Sequence, residues 1–203
     1  MRAVAYFIRH GDTDANEADV FRGDVDYDLN DAGKQQAQDL VKFFQGRKFS
    51  KAFTSTRTRA KQTIEPLVKS RGMTAASSDR LDSLNTGVFA GLPKNDANLE
   101  ILKHYQENPK ETIPGGEKVR TFRNDTDAEL MSLIRMGEES NSPVVACTHG
   151  SVLKELSRII TGDMKSVRVD PGGVIGVYRD PEGYTLIALL NPIDGAEEDK
   201  PGS

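Results

Sequence analysis

Tryptophan is missing from this 203-residue chain, cysteine occurs once and histidine only three times. A lone Cys147 excludes an internal disulfide, which fits a reducing, cytoplasmic setting. No apolar run approaches the roughly 20 residues that a membrane-spanning helix needs. The first ten residues, MRAVAYFIRH, lack a small-residue cleavage site and read as a strand rather than an export signal. Without such a signal, the glycosylation-like Asn-Asp-Thr at 124–126 carries no weight. Positive charge is not in excess: 27 Lys and Arg stand against 31 Asp and Glu, a net charge of −4. That balance argues against a nucleic-acid partner but leaves room for a local basic pocket. The chain also lacks internal repeats and low-complexity segments within its body.

What is present is an ordinary globular composition, 36% hydrophobic and 29% charged, long enough for one domain with a sizeable core. Residues 3–8 are a run of strand formers. Residues 29–46 carry Ala32, Ala37, Leu40, Val41 and Phe44 at helical spacing, with Asn30 as a cap and Gly46 as a stop. A short strand over 50–56 precedes a helix over 57–72, in which Pro66 predicts a kink or an early break. Residues 73–79 are a weak strand. The stretch from about 82 to 116 is rich in Gly, Pro and Asn, with a short helix possible in ANLEILKHYQ, and suggests a small irregular lid. A helix over 117–137, a strand over 142–148 and a helix over 149–162 follow. A hairpin over 173–190 closes the domain, and the acidic tail 191–203 reads as flexible. Strands alternating with helices predict an α/β fold, a three-layer α/β/α sandwich on a mainly parallel sheet.

Two of the strands end alike. IRHG at 8–11 and CTHG at 147–150 each place a histidine at the tip, followed by glycine. Sites in open α/β sheets form beyond the carboxyl ends of strands, so neighbouring strands would bring His10 and His149 to one crevice. Glycine after each lets a ligand approach the backbone. His104, in LKHYQ, has no such context and reads as a surface residue. A histidine metal site is the competing idea, but it lacks a supporting ligand cluster. Cys147 lies two residues before His149, yet a buried core cysteine is commoner than a thiol nucleophile. Arg9 precedes His10, and Arg57 and Arg59 stand where a strand meets a helix start, a ready place for an anion. A solvated helix face is the simpler reading of Arg57.

With these residues in place the chain resembles the histidine phosphatase superfamily, the phosphoglycerate mutase-like group. RHGDTDAN, FRGDVDYDLNDAGKQQA (21–37), STRTRAKQT (55–63), PGGE (114–117) and THG (148–150) match its motifs in order and spacing. The resemblance implies hydrolysis of a small phosphorylated molecule, with no cofactor and no metal. His10 would attack phosphorus and become a phosphohistidine. Arg9, Arg59 and His149 would hold the phosphoryl oxygens, Asn16 would add a neutral donor, and Gly11 and Gly150 would make room. Arg22 could touch a second anionic group, or be an exposed loop arginine. Asp12 replaces the usual Glu after RHG.

One position departs from the family. Its leaving-group acid is a Glu in Leu-x-Glu-x-x-x-Gly, and here LDSLNTGVFAG (81–91) puts Ser83 at that place and Ala90 before the last glycine. Asp82 could take over as acid. Alternatively, the substrate has a leaving group that needs no proton, such as an acyl phosphate or phosphohistidine, or the protein binds a phosphorylated ligand and turns it over poorly. The mutases need that acid too, which disfavours them. Lys94, Lys103, Lys110 and Lys118 could steer an anion, though a solvated face is the commoner explanation, and Glu117 reads as polar without a defined role.

Overall fold

The computed structural model of the chain describes residues 1–23, 25–164, 167–183 and 185–192. Six strands form one sheet: β1 (Arg2–Arg9), β2 (Lys51–Ser55), β3 (Ala75–Ser78), β4 (Val144–Thr148), β5 (Val174–Arg179) and β6 (Thr185–Leu190), in the order β3-β2-β4-β1-β5-β6. The first four of that order run parallel, whereas β5 pairs antiparallel with β1, and β6 antiparallel with β5. The helices are α1 (Asp14–Glu17), α2 (Asp31–Phe43), α3 (Thr58–Lys69), α4 (Asp96–Glu107), α5 (Val119–Glu139) and α6 (Gly150–Thr161).

Strand alternation makes the three layers. β1 sends Ala5 and Phe7 into a core with Leu130 and Leu133 of α5 and Leu153 and Leu156 of α6. Its intervening Tyr6 and Ile8 enter a second core with Leu40 and Phe43 of α2 and Ile64 and Leu67 of α3. Side chains two apart on a strand share a face, so the sheet is covered on both sides. Every residue of β4 is buried, as expected of a central parallel strand.

Local signals explain most boundaries. Asn30 caps α2 by accepting from the Gly33 amide at 2.9 Å. Pro66 does not break α3. The helix runs one more turn and ends at Lys69, where the Ser70 amide donates to the Pro66 carbonyl at 3.0 Å. A proline costs the helix its own amide, and so close to the end only a single turn has to continue past it.

The excursion 82–116 is less irregular than its composition suggests, because it carries all of α4. It is fastened where Gly87 and Gly116 interlock: a Cβ on Gly87 would collide with the backbone of Pro114 and Gly116. Glu117 accepts from the Asn85 amide at 2.7 Å, so the acid of PGGE anchors the segment in which Ser83 sits. Among the described residues no helix is long and apolar enough to cross a membrane. Of the acidic tail, residues 193–203 lie outside the described residues.

Candidate active site

Because β1 and β4 are neighbours, the two histidine tips meet. The His10 and His149 ring centroids are 5.1 Å apart, and both rings are essentially buried. The His10 amide donates to the Thr148 carbonyl at 2.9 Å, tying one tip to the other.

Hydrogen bonding sets the state of each ring. His10 Nδ1 lies 2.7 Å from the Gly11 carbonyl. A carbonyl only accepts, so Nδ1 carries the hydrogen and Nε2 the lone pair. That Nε2 is buried and has no hydrogen-bond partner. Burial, then the positive charges of Arg22 and Arg59, then Arg9, hold the His10 pKa well below the ordinary histidine value. His149 is depressed too, first by burial and then by His10, Arg59, Arg22 and Arg57. Both imidazoles are therefore neutral near pH 7.

That neutrality makes stability depend on pH. The unfolded chain protonates each histidine near pH 6.5, whereas the folded one resists until lower pH. Between those values the unfolded state binds more protons, so stability declines as pH falls, by up to about 1.4 kcal/mol per pH unit for each histidine. Urea midpoints taken from pH 7.5 down to 5.5 should decline, and more shallowly in His149→Asn. An unchanged slope in that variant would contradict the assignment.

The cations converge. Arg59 has no exposed surface. Its Nη2 donates to Ser83 Oγ at 3.1 Å and its Nη1 to the Val25 carbonyl at 3.3 Å, with Asp26 at 3.4 Å. Arg9 Nη1 donates to the Val169 carbonyl at 2.7 Å. Arg22 is half-buried rather than an exposed loop arginine, and burial followed by Arg59 and Arg9 lowers its pKa to about 10. Arg9 Nε, Arg22 Nη1 and Arg59 Nε are buried without a hydrogen-bond partner. Arg22 thus stands close enough to Arg59 and Arg9 to be repelled by both, and all three carry unused buried donors.

A cavity of about 310 Å³ opens beside them, lined by Arg22, Ser83, Lys94, His149, Ser151 and Lys154 among others. A second cavity shares Arg22, Lys94 and Lys154 with it and adds Arg9, Asp12 and Asn16. Asn16 Oδ1 accepts from the Thr13 hydroxyl at 2.7 Å, which leaves its amide nitrogen as a donor. His10 itself has no exposed surface, so entry of a phosphate demands movement of the side chains that cover the ring.

Several sequence expectations are corrected. Gly11 makes room for protein, not ligand: a Cβ there would lie 2.8 Å from the Gly33 carbonyl oxygen of α2. At Gly150 a Cβ would meet the Arg9 guanidinium only at van der Waals range, 3.7 Å from Nε. The N-terminus of α3 already holds an anion, since the Asp26 carboxylate accepts from the Thr58 amide at 2.8 Å. Arg57 is not solvated but pairs with Asp82 at 3.3 Å. Lys94 pairs with Asp19 at 2.9 Å and lines both cavities. Asp82 does not face the cavities as a free acid. Its oxygens accept from the Ser55 hydroxyl (2.6 Å), the Thr56 amide (2.7 Å) and the Thr56 hydroxyl (2.6 Å).

Other expectations hold. His104 is a surface residue, 3.0 Å from Glu111. Cys147 is fully buried in the α2/α3 core, and burial pushes its thiol far up, out of nucleophile range. Sequence reasoning missed Ser55, 2.7 Å from His149 Nε2. Only the adjacency of β2 and β4 brings these two together.

The fold is an α/β sandwich with two buried histidines and three arginines gathered at its strand tips. The model of the histidine phosphatase superfamily (branch 1) matches residues 5–191, and the chain belongs to that superfamily. It is 30% identical to phosphoglycerate mutase-like protein 4 of Arabidopsis thaliana, over 88% of this chain and 81% of that one. It is 24% identical to a protein provisionally named phosphoserine phosphatase 2 of Hydrogenobacter thermophilus, over 91% and 93%. In fold it resembles the alpha-ribazole phosphatase from Shigella flexneri, with TM-score 0.75, 22% identity and coverage of 92% and 95%.

Proposed function

We propose that the chain hydrolyses a small phosphomonoester through a phosphohistidine on His10, without a metal ion. The observation that carries this reading is the unpartnered lone pair on His10 Nε2, held neutral inside a ring of guanidinium groups. A neutral imidazole is a competent nucleophile, and cations aimed at the phosphoryl oxygens stabilise charge in the transition state. Arg9, Arg59 and Arg22 supply that charge, Asn16 adds an amide donor, and the N-terminus of α6 at Gly150 faces the same crevice. A cavity of about 310 Å³ suits a small phosphorylated molecule rather than nucleic acid or a membrane surface. A phosphatase rather than a mutase is favoured by Ser83, which stands where mutases need an acid. The segment 82–116 would act as a lid over the cavity, and a cytoplasmic location fits the lone reduced cysteine.

Rapid acid or alkaline quench during turnover tests the intermediate. Alkali-stable, acid-labile phosphate on His10, formed before the second product is released, is expected. Steady turnover with no phosphoenzyme at any time point would overturn the reading.

One second reading is favoured by the bond between Ser83 and Arg59, which leaves no carboxyl group at the family's acid position. The natural substrate would then carry an activated leaving group. Comparing aryl with alkyl phosphate turnover separates the two, and turnover of neither would point to a phosphate-binding protein.

A further inference from the structure

Where the family's acid is missing, a different proton path is built. Asp82 Oδ1 lies 2.6 Å from Ser55 Oγ, and Ser55 Oγ lies 2.7 Å from His149 Nε2. A carboxylate oxygen can only accept from a hydroxyl held so firmly among donors, so the single hydroxyl proton of Ser55 points to Asp82. The Arg57 amide donates to the same Ser55 oxygen at 3.1 Å. His149 Nε2 is then the remaining donor to Ser55, and its lone pair lies on Nδ1. That Nδ1 is buried with no hydrogen-bond partner. A buried acceptor left alone is costly unless a ligand brings it a proton.

The charges around His149 are accounted for. His10 faces it from the end of β1, Arg22 from the loop that follows, and Arg57 and Arg59 from the start of α3. Asp26 is engaged with Arg59, and Glu155 on α6 with Arg123 and Arg158. Asp82 reaches the ring through Ser55.

We propose that Asp82, Ser55 and His149 form a relay that supplies the leaving-group proton in place of the acid missing at Ser83. The proposal rests on the phosphatase reading above. The ester binds as its monoanion, with its phosphoryl proton shared with His149 Nδ1. The His10 Nε2 lone pair forms the N–P bond as the P–O bond to the alcohol breaks. That bond's electron pair stays on the alcohol oxygen, which takes up the shared proton and leaves as alcohol. In the second step a water oxygen bonds to phosphorus, the P–N electron pair returns to His10, and the water proton moves to a phosphoryl oxygen, so that dihydrogen phosphate leaves and both imidazoles are neutral again. The charge of Asp82, conveyed through Ser55, steadies the imidazolium formed in passing. Asp82 and Ser55 are positioning residues, and His149 is the one that touches the substrate.

The test uses the intact protein and two substrates, 4-nitrophenyl phosphate and glycerol 2-phosphate. Wild-type turnover of the aryl ester, lost in His10→Ala, is the first requirement. Its absence would remove the phosphatase reading and the relay with it. Given that turnover, Asp82→Asn and Ser55→Ala should lower kcat on the alkyl ester by about 100-fold, within the 10²–10⁴-fold range of general acid catalysis. Neither should lower aryl turnover more than a fewfold, and KM should move little. Equal losses on both esters, or no loss on the alkyl ester, would overturn the relay while leaving the phosphatase reading standing. If either variant fails to fold, the wild type alone decides. Its kcat/KM across aryl phosphates of rising leaving-group pKa should be nearly flat, and on the alkyl ester should fall above the second phosphate pKa of about 6. A steep leaving-group dependence, or activity that rises from pH 6 to 8, would refute the relay.

Discussion

His10→Ala should eliminate turnover of every phosphomonoester that the wild-type protein hydrolyses, by roughly 10⁴-fold or more, the scale on which loss of a nucleophile acts. The chain should still fold. The His10 ring makes one hydrogen bond, to its neighbour's carbonyl, and sits as a desolvated group among cations. Its removal leaves a cavity and one carbonyl without that partner, a cost of about 1–3 kcal/mol. Because Arg9, Arg22 and Arg59 remain, inorganic phosphate should still raise the melting temperature of the variant. Steady-state assays and thermal melts with and without phosphate read both outcomes. Activity near wild type in this variant would end the nucleophile assignment.

Arg59→Met should lower kcat/KM by roughly 10²–10³-fold, the usual effect of removing one preorganised charge donor from a transition-state pocket. Its effect on the unliganded fold should run the other way. Arg59 is fully buried, and burial lowers its pKa despite the help of Asp26 and Asp82. Arg57 and Arg22 stand close enough to repel it. Methionine fills a similar unbranched path without the charge, and the half-exposed Asp26 keeps its bond to the Thr58 amide. The melting temperature in phosphate-free buffer should therefore hold or rise, while the stabilisation by added phosphate shrinks. Loss of both activity and fold would show that the guanidinium is mainly structural. The opposite signs expected for function and stability mark a site whose charges are assembled for a ligand rather than for the fold.

The order of elements was legible in the chain because it rests on local periodicity. Residues 3–8 and 142–148 alternate or run apolar, and 29–46 and 149–162 repeat at helical spacing, so β1, β4, α2 and α6 fall where those patterns lie. The two His-Gly tips pointed to one crevice because strand ends in a parallel sheet share an edge. The arginines at 9 and 59 were legible as candidate anion ligands by residue type and resemblance. Position 83 was legible as the place where the family's acid is absent.

What each of those residues touches was decided by tertiary structure. Ser55 and His149 are 94 positions apart, and they meet only because β2 lies beside β4. Gly11 reads as room for a ligand until Gly33 of α2 is seen packed against it. The start of α3 reads as an empty anion site until Asp26 folds back onto it. Asp82 and Ser83 are neighbours in the chain, yet one faces Ser55 and Thr56 and the other Arg59. Periodicity is a property of adjacent residues, so the chain states it directly. A hydrogen-bond partner is a property of distance in space, and distance is set only once sheet order and helix packing have placed every strand tip.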